Sequence, residues 1–303
     1  MKQVRLWMMS AFFAISGASV FTACTAYNDN PVIPVGIAID ETNFPDSGFR
    51  QLLFEKYNFA KDGVLTDEEI NSTTELDIFY DNLKSLKGIE FFTALEKLSC
   101  CVNDITELDL SRNTKLKYLD CSYNELTMLN ISNNVLLDTV YCNGNNLSEL
   151  DVSNNTALIY LDCYDNKLTK LDVTKNSALV QLDFDRNQLT SIDLSKNIWL
   201  EELYCAGNQL TKLDLSANVA LELIQCYQNR ISGQNMDDLI GSLPYNDTPT
   251  FYEFAVIDYS DGIEKEGNVC TKSQVAALKA KGWLPKLWDE EVEEFLEYPG
   301  SDE

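Results

Sequence analysis

Histidine is absent from the 303-residue chain, and basic residues are scarce. Without an imidazole, the usual Ser–His–Asp triads, Cys–His dyads and HExxH zinc sites are excluded. Lysine and arginine number 23 against 48 aspartates and glutamates, so the formal net charge is −25. That charge disfavours nucleic acid and anionic membrane surfaces as partners.

Motifs that mark common enzymes are missing as well. The chain has no P-loop, GxGxxG or GxSxG sequence. Composition alone leaves open a glycosidase-like pair of carboxylates. The middle of the chain consists of regular repeats, described below, which offer no pocket for such a pair. We therefore predict that the protein is not an enzyme. We expect no cofactor, apart from a candidate calcium site in the N-terminal cap.

The N-terminal residues 1–23 have the organisation of a secretion signal. A basic start precedes the apolar run 6–20, which is too short for a comfortable membrane span and long enough for a signal sequence. The small residues before Cys24 resemble a bacterial lipobox, which implies that the Cys24 thiol is acylated and anchors the protein to the outer membrane. The alternative is an ordinary signal peptide and an incidental cysteine. Residues 24–36 have two prolines and no periodicity, which indicates an exposed tether.

The middle of the chain, residues 94–240, repeats every 21 residues without insertion or deletion. Six copies are complete, and a seventh keeps only its first half. The pattern L-x-x-L-x-C-x-x-N-x-L resembles the leucine-rich repeat, which implies stacked coils with one parallel sheet on a concave face. One coil buries too little apolar surface to be stable alone, so stacking must supply the rest. We therefore predict an α/β, mostly β, leucine-rich-repeat solenoid of 21-residue coils.

A solenoid requires a cap at each end, which divides the chain into five segments. The flanking sequences predict a helical N-terminal cap and an α+β C-terminal cap. Residues 289–303 carry eight acids and no base, which indicates a solvated acidic tail. The predicted segments are 1–23 (lipoprotein signal), 24–36 (tether), 37–93 (EF-hand-like N-terminal cap and an atypical first repeat), 94–240 (repeats) and 241–303 (C-terminal cap and acidic tail).

Two residue types recur at fixed positions of the coil. An asparagine follows each predicted strand, where its amide can satisfy backbone groups of its own and adjacent coils. A cysteine precedes it in six copies, and Phe184 replaces it in one. Because phenylalanine forms no disulfide and binds no metal, we expect apolar filling at this position. The Leu-Asp-Leu-Ser second half predicts a further extended segment on the back of each coil. The cysteines of this column are Cys100, Cys121, Cys142, Cys163, Cys205 and Cys226.

Alternate strand residues are expected to point onto the concave face. Six tyrosines and four aspartates fall there, and tyrosine is enriched in the cores of protein interfaces. The pattern predicts a protein-binding face. β-Propensity alone also places tyrosine on strands. Two other functions stay open: a glycan-binding protein whose tyrosines stack on sugar rings, and a structural envelope protein with no soluble ligand. The candidate binding residues are Tyr118, Asp120, Tyr141, Tyr160, Asp162, Tyr164, Asp183, Asp185, Tyr204 and Tyr227.

The predicted N-terminal cap contains a degraded calcium-binding loop. With Gly63 as the sharp-turn residue, the twelve residues 58–69 follow the spacing of an EF-hand loop. Ala60 supplies no ligand there. Thr66 and Glu69 also fit a helix capping box, so a purely structural helix–loop–helix is the alternative. The candidate calcium ligands are Asn58, Asp62, the Val64 carbonyl, Thr66 and Glu69.

The two caps, like the repeats, resemble segments of known leucine-rich-repeat surface proteins. Internalin-like surface proteins carry an EF-hand-like cap before their repeats, and this arrangement resembles theirs. The run GNVCTKSQVAALKAKGW at 267–283 is similar to the C-terminal cap of repeat lipoproteins from Bacteroidota. These resemblances imply a surface-exposed lipoprotein of the cell envelope. They also imply a protein partner, from a host or a cell surface, with polysaccharide as the alternative ligand.

Overall fold

The computed structural model describes residues 36–58, 60–79, 82–246, 252–258, 266–289 and 294–302. The predicted signal, Cys24 and the tether as far as residue 35 lie outside the described residues. Within the described ranges, every helix falls short of the length and apolarity that a membrane span requires.

Short strands and short helices make up the regular structure. The strands are β1 (Gly36–Ala38), β2 (Val64–Thr66), β3 (Glu75–Asp77), β4 (Lys97–Ser99), β5 (Tyr118–Asp120), β6 (Thr139–Tyr141), β7 (Tyr160–Asp162), β8 (Gln181–Asp183), β9 (Glu202–Tyr204), β10 (Leu223–Gln225), β11 (Glu253–Asp258), β12 (Leu284–Asp289) and β13 (Glu294–Glu297). The α-helices are α1 (Ser47–Leu52), α2 (Asp67–Ser72), α3 (Gln234–Ser242) and α4 (Lys272–Ala280). A π-helical turn, Leu53–Tyr57, continues α1, and a 3-10 turn covers Ile89–Phe91.

Strands β3 to β13 form one sheet in sequence order. Neighbours from β3 to β12 are parallel, and β13 pairs with β12 in the antiparallel direction. Equivalent repeat positions face each other, so Leu98 pairs with Leu119, and Leu119 pairs with Val140. This register follows because successive coils have the same length. The predicted mostly-β solenoid with 21-residue coils is confirmed.

The middle residue of each strand and the cysteine column point into the core. Leu119, Val140 and Leu161 are at most 1% exposed, and the six column cysteines and Phe184 are fully buried. The described cysteines are free thiols. Burial raises the pKa of the Cys163 thiol well above its ordinary value. These thiols are therefore protonated packing groups, as the substitution by Phe184 indicates.

The asparagine after each strand connects adjacent coils. Asn166 Nδ2 donates to the carbonyls of Cys142 and Cys163, each at 3.1 Å, while its Oδ1 accepts from the Leu147 amide at 2.9 Å. At the return turn, Asn155 and its equivalents donate to two carbonyls of the preceding coil. The asparagines thus satisfy backbone groups where the chain changes direction, as predicted.

The residue immediately before that asparagine adopts a left-handed conformation in all seven coils. Its φ lies between 52° and 66°. Glycine, which adopts this conformation without strain, occurs in two of the coils. The residues are Val102, Tyr123, Gly144, Asp165, Arg186, Gly207 and Gln228.

The extended segments predicted on the back of the coils do not pair into a second sheet in the described residues. In the described part of the chain, the pairing found there is a single bridge between Asp109 and Asn130. Asp151 shows the physical reason, because its Oδ1 accepts from the Ser153 amide at 2.9 Å. A bond of this kind bends the backbone into a turn directly after the aspartate, which keeps the segment short.

The N-terminal cap is a helix–loop–helix beside the first coil. Asp46 caps α1 by accepting from the amides of Gly48 at 2.9 Å and Phe49 at 3.1 Å. Strand β2, in the loop between the helices, pairs antiparallel with β1. The predicted capping box of Thr66 and Glu69 opens α2 and is confirmed.

The C-terminal cap continues the sheet. Helix α3 follows the last coil, and β11 then pairs with β10. A capping box formed by Thr271 and Gln274 opens α4. Trp283 is fully buried and packs edge-to-face against Tyr252 and Phe254.

The prediction of a solvated acidic tail is wrong for residues 294–302. Strand β13 joins the sheet, and Tyr298 is 3% exposed with its hydroxyl donating to the Cys270 carbonyl at 3.0 Å. The Phe295 ring packs against Trp288 at 4.9 Å between centroids. Aromatic residues interspersed among the acids thus supply a packing side, which the charge count concealed.

Candidate binding face

The concave face is the solvent side of the sheet, formed by the first and third residue of each strand and the second residue beyond it. The ten tyrosines and aspartates predicted from the sequence lie on this face. Tyr160 is 40% exposed, and the other nine are partly buried. The structure therefore brings the predicted set together on neighbouring coils.

Side-chain contacts order the N-terminal half of this face. The rings of Tyr118 and Tyr141 lie 5.9 Å apart, and Lys97 Nζ is 5.3 Å from the Tyr118 ring centre. Asp120 Oδ1 accepts from the Ser122 hydroxyl at 2.6 Å and from its amide at 3.1 Å. Asp120 is therefore satisfied locally and is a weaker candidate for ligand contact than the other aspartates.

Tyr123 belongs to the candidate site although the sequence analysis missed it. Its hydroxyl hydrogen-bonds to that of Tyr164, and the two rings are 6.3 Å apart. Tyr123 occupies the left-handed turn position rather than an alternating strand position, so strand periodicity gave no sign of it. The sequence feature that could have indicated Tyr123 is Gly144, which occupies the same position in the intervening coil.

Asp162, Asp183 and Asp185 form what we call the acidic trough. Asp162 and Asp183 are cross-strand partners, and Asp185 lies two residues beyond Asp183. Each accepts one backbone amide: Asp162 from Tyr164 at 3.1 Å, Asp183 from Asp185 at 2.9 Å, and Asp185 from Ala206 at 2.5 Å. In the part of the chain that the structure describes, no lysine or arginine forms an ion pair with any of the three.

Burial raises the pKa of all three carboxyls in the acidic trough. For Asp162, burial outweighs the backbone hydrogen bond and brings the pKa to about 7. For Asp185, burial outweighs a backbone hydrogen bond and the attraction of Arg186, and the pKa is again about 7. The pKa of Asp183 is raised well above its ordinary value by burial and by repulsion from the other two aspartates. Because the pKa values of Asp162 and Asp185 are about 7, the trough is partly protonated at neutral pH, and a bound cation could replace those protons.

Aromatic rings surround the acidic trough. Burial raises the pKa of the hydroxyls of Tyr164, Tyr204 and Tyr227, so these groups are neutral. The Tyr227 ring lies 6.3 Å from Phe295, which contacts Trp288. The hairpin of β12 and β13 thus extends the concave face with two residues that sequence reasoning assigned to a cap and a tail.

The loop residues predicted as calcium ligands are also brought together, but protein donors already engage their oxygens. Glu69 Oε2 accepts from the Thr66 amide at 2.8 Å and its hydroxyl at 3.0 Å. Asp62 Oδ1 accepts from the Val64 amide at 3.0 Å, and Asn58 Nδ2 donates to the Val64 carbonyl at 3.1 Å. This arrangement does not fit a calcium ion, because an N–H group points at a ligand oxygen. Across the described ranges, no group of three or more His, Cys, Asp or Glu side chains is placed to hold a metal.

Parallel strands in register, a buried cysteine column and an asparagine at each turn define a leucine-rich-repeat protein with an internalin-like fold. Over 71 residues the chain is 37% identical to internalin J of Listeria monocytogenes, a match that covers 23% of this chain and 8% of internalin J. The solved functional domain of internalin J, described as including a cysteine ladder, is 32% identical with a TM-score of 0.57. It aligns with 80% of this chain, which spans 55% of that domain.

More distant solved structures share the fold. Internalin C2 of L. monocytogenes is 20% identical, with a TM-score of 0.58 over 68% of this chain and 94% of its own. The leucine-rich-repeat ectodomain of the Arabidopsis thaliana receptor kinase GASSHO1/SCHENGEN3 was solved in complex with CASPARIAN STRIP INTEGRITY FACTOR 2. It is 20% identical, with a TM-score of 0.51 over 66% of this chain and 25% of that one. No family model matches the chain.

Proposed function

We propose that this protein is a non-enzymatic surface protein that binds a protein partner through its concave face. A positively charged segment of the partner occupies the acidic trough. The observation that carries the proposal is the state of Asp162, Asp183 and Asp185: partly buried, with raised pKa values and no ion pair among the described residues. A lysine or arginine placed there replaces the retained protons and forms charge-assisted hydrogen bonds.

The surrounding aromatic residues support the same kind of partner. Tyr204 pairs across strands with Asp183, and Tyr227 lies near Asp185. Such rings offer cation–π contacts to an ammonium or guanidinium group and apolar area to its neighbours. The complex of the GASSHO1/SCHENGEN3 ectodomain is a further support, since a solenoid of this fold serves as a binding module there.

The test is a binding screen of the chain from residue 25 onward against extracellular host proteins and polysaccharides. One variant replaces Asp162, Asp183 and Asp185 with asparagine. Its matched control makes the same change at Asp151, Asp172 and Asp193, which are exposed on the back of neighbouring coils. We expect the trough variant to weaken binding at least about 10-fold, because one close charged pair contributes about 1.5 kcal/mol or more, while the control retains affinity.

Salt dependence separates a protein ligand from a polysaccharide ligand, and a tyrosine variant tests whether either ligand binds the concave face. A basic protein partner should bind more weakly as salt rises, whereas binding of a neutral polysaccharide should barely change. Replacing Tyr141, Tyr160 and Tyr164 with alanine should reduce either kind of binding without unfolding the protein. A partner equally affected by both aspartate variants contradicts the trough as its site. Failure of every probe to bind favours the structural envelope role.

We further propose that Cys24 carries lipid and anchors the protein at the outer surface of the outer membrane. The support is the sequence alone, since residues 1–35 lie outside the described residues. Labelled palmitate should be incorporated by cells expressing the full chain and should be lost in the Cys24→Ser variant. Digestion of intact cells with protease should remove the protein if it faces outward, and protection would place it on the periplasmic side.

A further inference from the structure

The described residues of the loop 58–69 in the N-terminal cap, namely residue 58 and residues 60–69, keep the backbone form of a calcium loop. The turn at Gly63 has a φ of 80°, strand β2 follows it, and α2 begins directly after the strand. This is the order of sharp turn, short strand and exit helix in a twelve-residue calcium loop. The differences between this loop and a calcium-binding loop therefore lie in the side chains.

The Asn58 side chain lies inside the loop and is 1% exposed. Its Nδ2 donates to the Val64 carbonyl at 3.1 Å and to Asp62 Oδ1 at 3.4 Å, while its Oδ1 accepts from the Asp62 amide at 3.2 Å. If the amide were turned around, its oxygen would face two acceptors, the Val64 carbonyl and Asp62 Oδ1, and its nitrogen would face the Asp62 N–H donor. The hydrogen-bond network therefore fixes its orientation.

The last ligand position is occupied by protein donors in the same way. Glu69 is 5% exposed and uses Oε2 for the amide and hydroxyl of Thr66. Its Oε1 accepts from the Ala60 amide at 3.4 Å. The carboxylate thus closes the loop onto α2 with N–H and O–H groups, and Ala60 contributes no side-chain oxygen.

We propose that the Asn58 carboxamide takes the place of a calcium ion and closes this loop without metal. Its N–H group sits between Val64 O and Asp62 Oδ1, which a calcium ion would otherwise draw together. The cap, and the first coil that it covers, therefore fold independently of calcium. This inference does not depend on the proposed binding function of the concave face.

One substitution should convert the loop to calcium dependence. Asn58→Asp replaces the donor with a carboxylate that faces the Val64 carbonyl and Asp62, and these oxygens repel one another until a cation separates them. In EDTA, we expect the full chain with Asn58→Asp to lose about 5 °C in Tm relative to the wild type. Calcium should restore that loss, with a Kd on the order of 10⁻⁴ M because position three still lacks a ligand.

The wild-type chain provides the decisive comparison. Its Tm should be the same in EDTA and in calcium, apart from any shift that magnesium produces equally. Asn133→Asp, the same chemical change at an exposed position on the back of a coil, should behave like the wild type. Asn58→Ala should lower Tm in EDTA and in calcium alike, because it removes the donor without creating a ligand.

Two results would overturn the proposal. One is a wild-type chain that calcium stabilises more than magnesium does, or that releases heat of specific calcium binding in titration calorimetry. The other is an Asn58→Asp or Asn58→Ala chain as stable in EDTA as the wild type. If Asn58→Asp does not fold, the calorimetry on the wild type and the Asn58→Ala melting curves still decide the question.

Discussion

The Tyr123 hydroxyl hydrogen-bonds to the Tyr164 hydroxyl two coils away, across Gly144 in the coil between them. A Cβ atom on Gly144 would lie 2.7 Å from the Tyr123 ring, closer than side chains tolerate. The glycine thus allows the ring to cross the intervening coil. This link orders the middle of the concave face and places the Tyr164 ring beside the acidic trough.

Replacing Gly144 with alanine should destabilise the protein and free both tyrosines. Alanine at a φ of 66° costs about 1–2 kcal/mol, and displacement of the Tyr123 ring adds about 1 kcal/mol or more. Urea unfolding measures the loss. Gly207→Ala is the matched control, since Gly207 has a φ of 63° and no aromatic ring among the nearest atoms that its Cβ would meet. Equal losses for the two variants would show that the Tyr123 contact contributes nothing.

An aspartate at Asn166 should unfold the solenoid locally at neutral pH. The change removes the amide donor from the carbonyls of Cys142, Cys163 and Tyr164 and leaves a buried charge, which together cost at least about 3 kcal/mol. Part of the loss should return at acidic pH, because a protonated carboxyl can donate one hydrogen bond. The control Asn154→Asp, at an exposed site, should change the free energy of unfolding by less than about 0.5 kcal/mol. Similar losses at the two sites would contradict the assigned role.

Stability should fall as the pH rises from about 4 to about 7. The folded state keeps protons on Asp162 and Asp185 up to about pH 7, whereas the unfolded chain releases them near pH 4. Unfolding therefore releases protons, and the free energy of unfolding decreases across that window and stays lower above it. Melting temperatures measured across this range should show the decline.

The Asp185→Asn variant isolates this effect from the overall negative charge. It should flatten the pH dependence and melt higher than the wild type at pH 8, because it removes a carboxyl that is costly to ionise. Asp172 lies on the back, where the Thr174 hydroxyl and amide hold its pKa below its ordinary value. Asp172→Asn should therefore give no such gain. A gain of the same size in both variants would assign the effect to net charge alone.

Truncating the buried ring of Tyr298 should test whether the C-terminal residues are structural. Tyr298→Ala should cost about 3 kcal/mol or more, because the ring is 3% exposed and its hydroxyl bonds to Cys270. Tyr245 is 79% exposed, so Tyr245→Ala should cost less than about 1 kcal/mol, including its contact with Lys281. Denaturant unfolding measures both. A negligible effect at Tyr298 would restore the view of this segment as a solvated tail.

Residues that follow the repeat or a known capping pattern were predictable from the sequence, and isolated aromatic residues at a turn and in the C-terminal segment were not. Phe184 in the cysteine column identified the column as packing, and the structure buries it completely. Tyr123 was not predicted as a site residue because a left-handed turn, not strand alternation, directs its side chain. Trp288 and Phe295 were not predicted as part of the concave face because acidic residues dominate the composition of the C-terminal segment around them.

The repeat pattern was enough to predict the coil length, the strand register, the buried columns and the class of fold. These follow from local patterns, since coils of equal length can stack in register only with equivalent positions adjacent. The fold was needed to reveal three further features: the burial that raises the pKa of the three carboxyls in the acidic trough, the Tyr123–Tyr164 link, and the hairpin that extends the face. It also decided which way the Asn58 amide points. Those outcomes depend on how deeply outward side chains are covered by their neighbours, and on hydrogen-bond direction between residues on different coils or across a folded loop. The repeat pattern specifies neither of these for the outward residues.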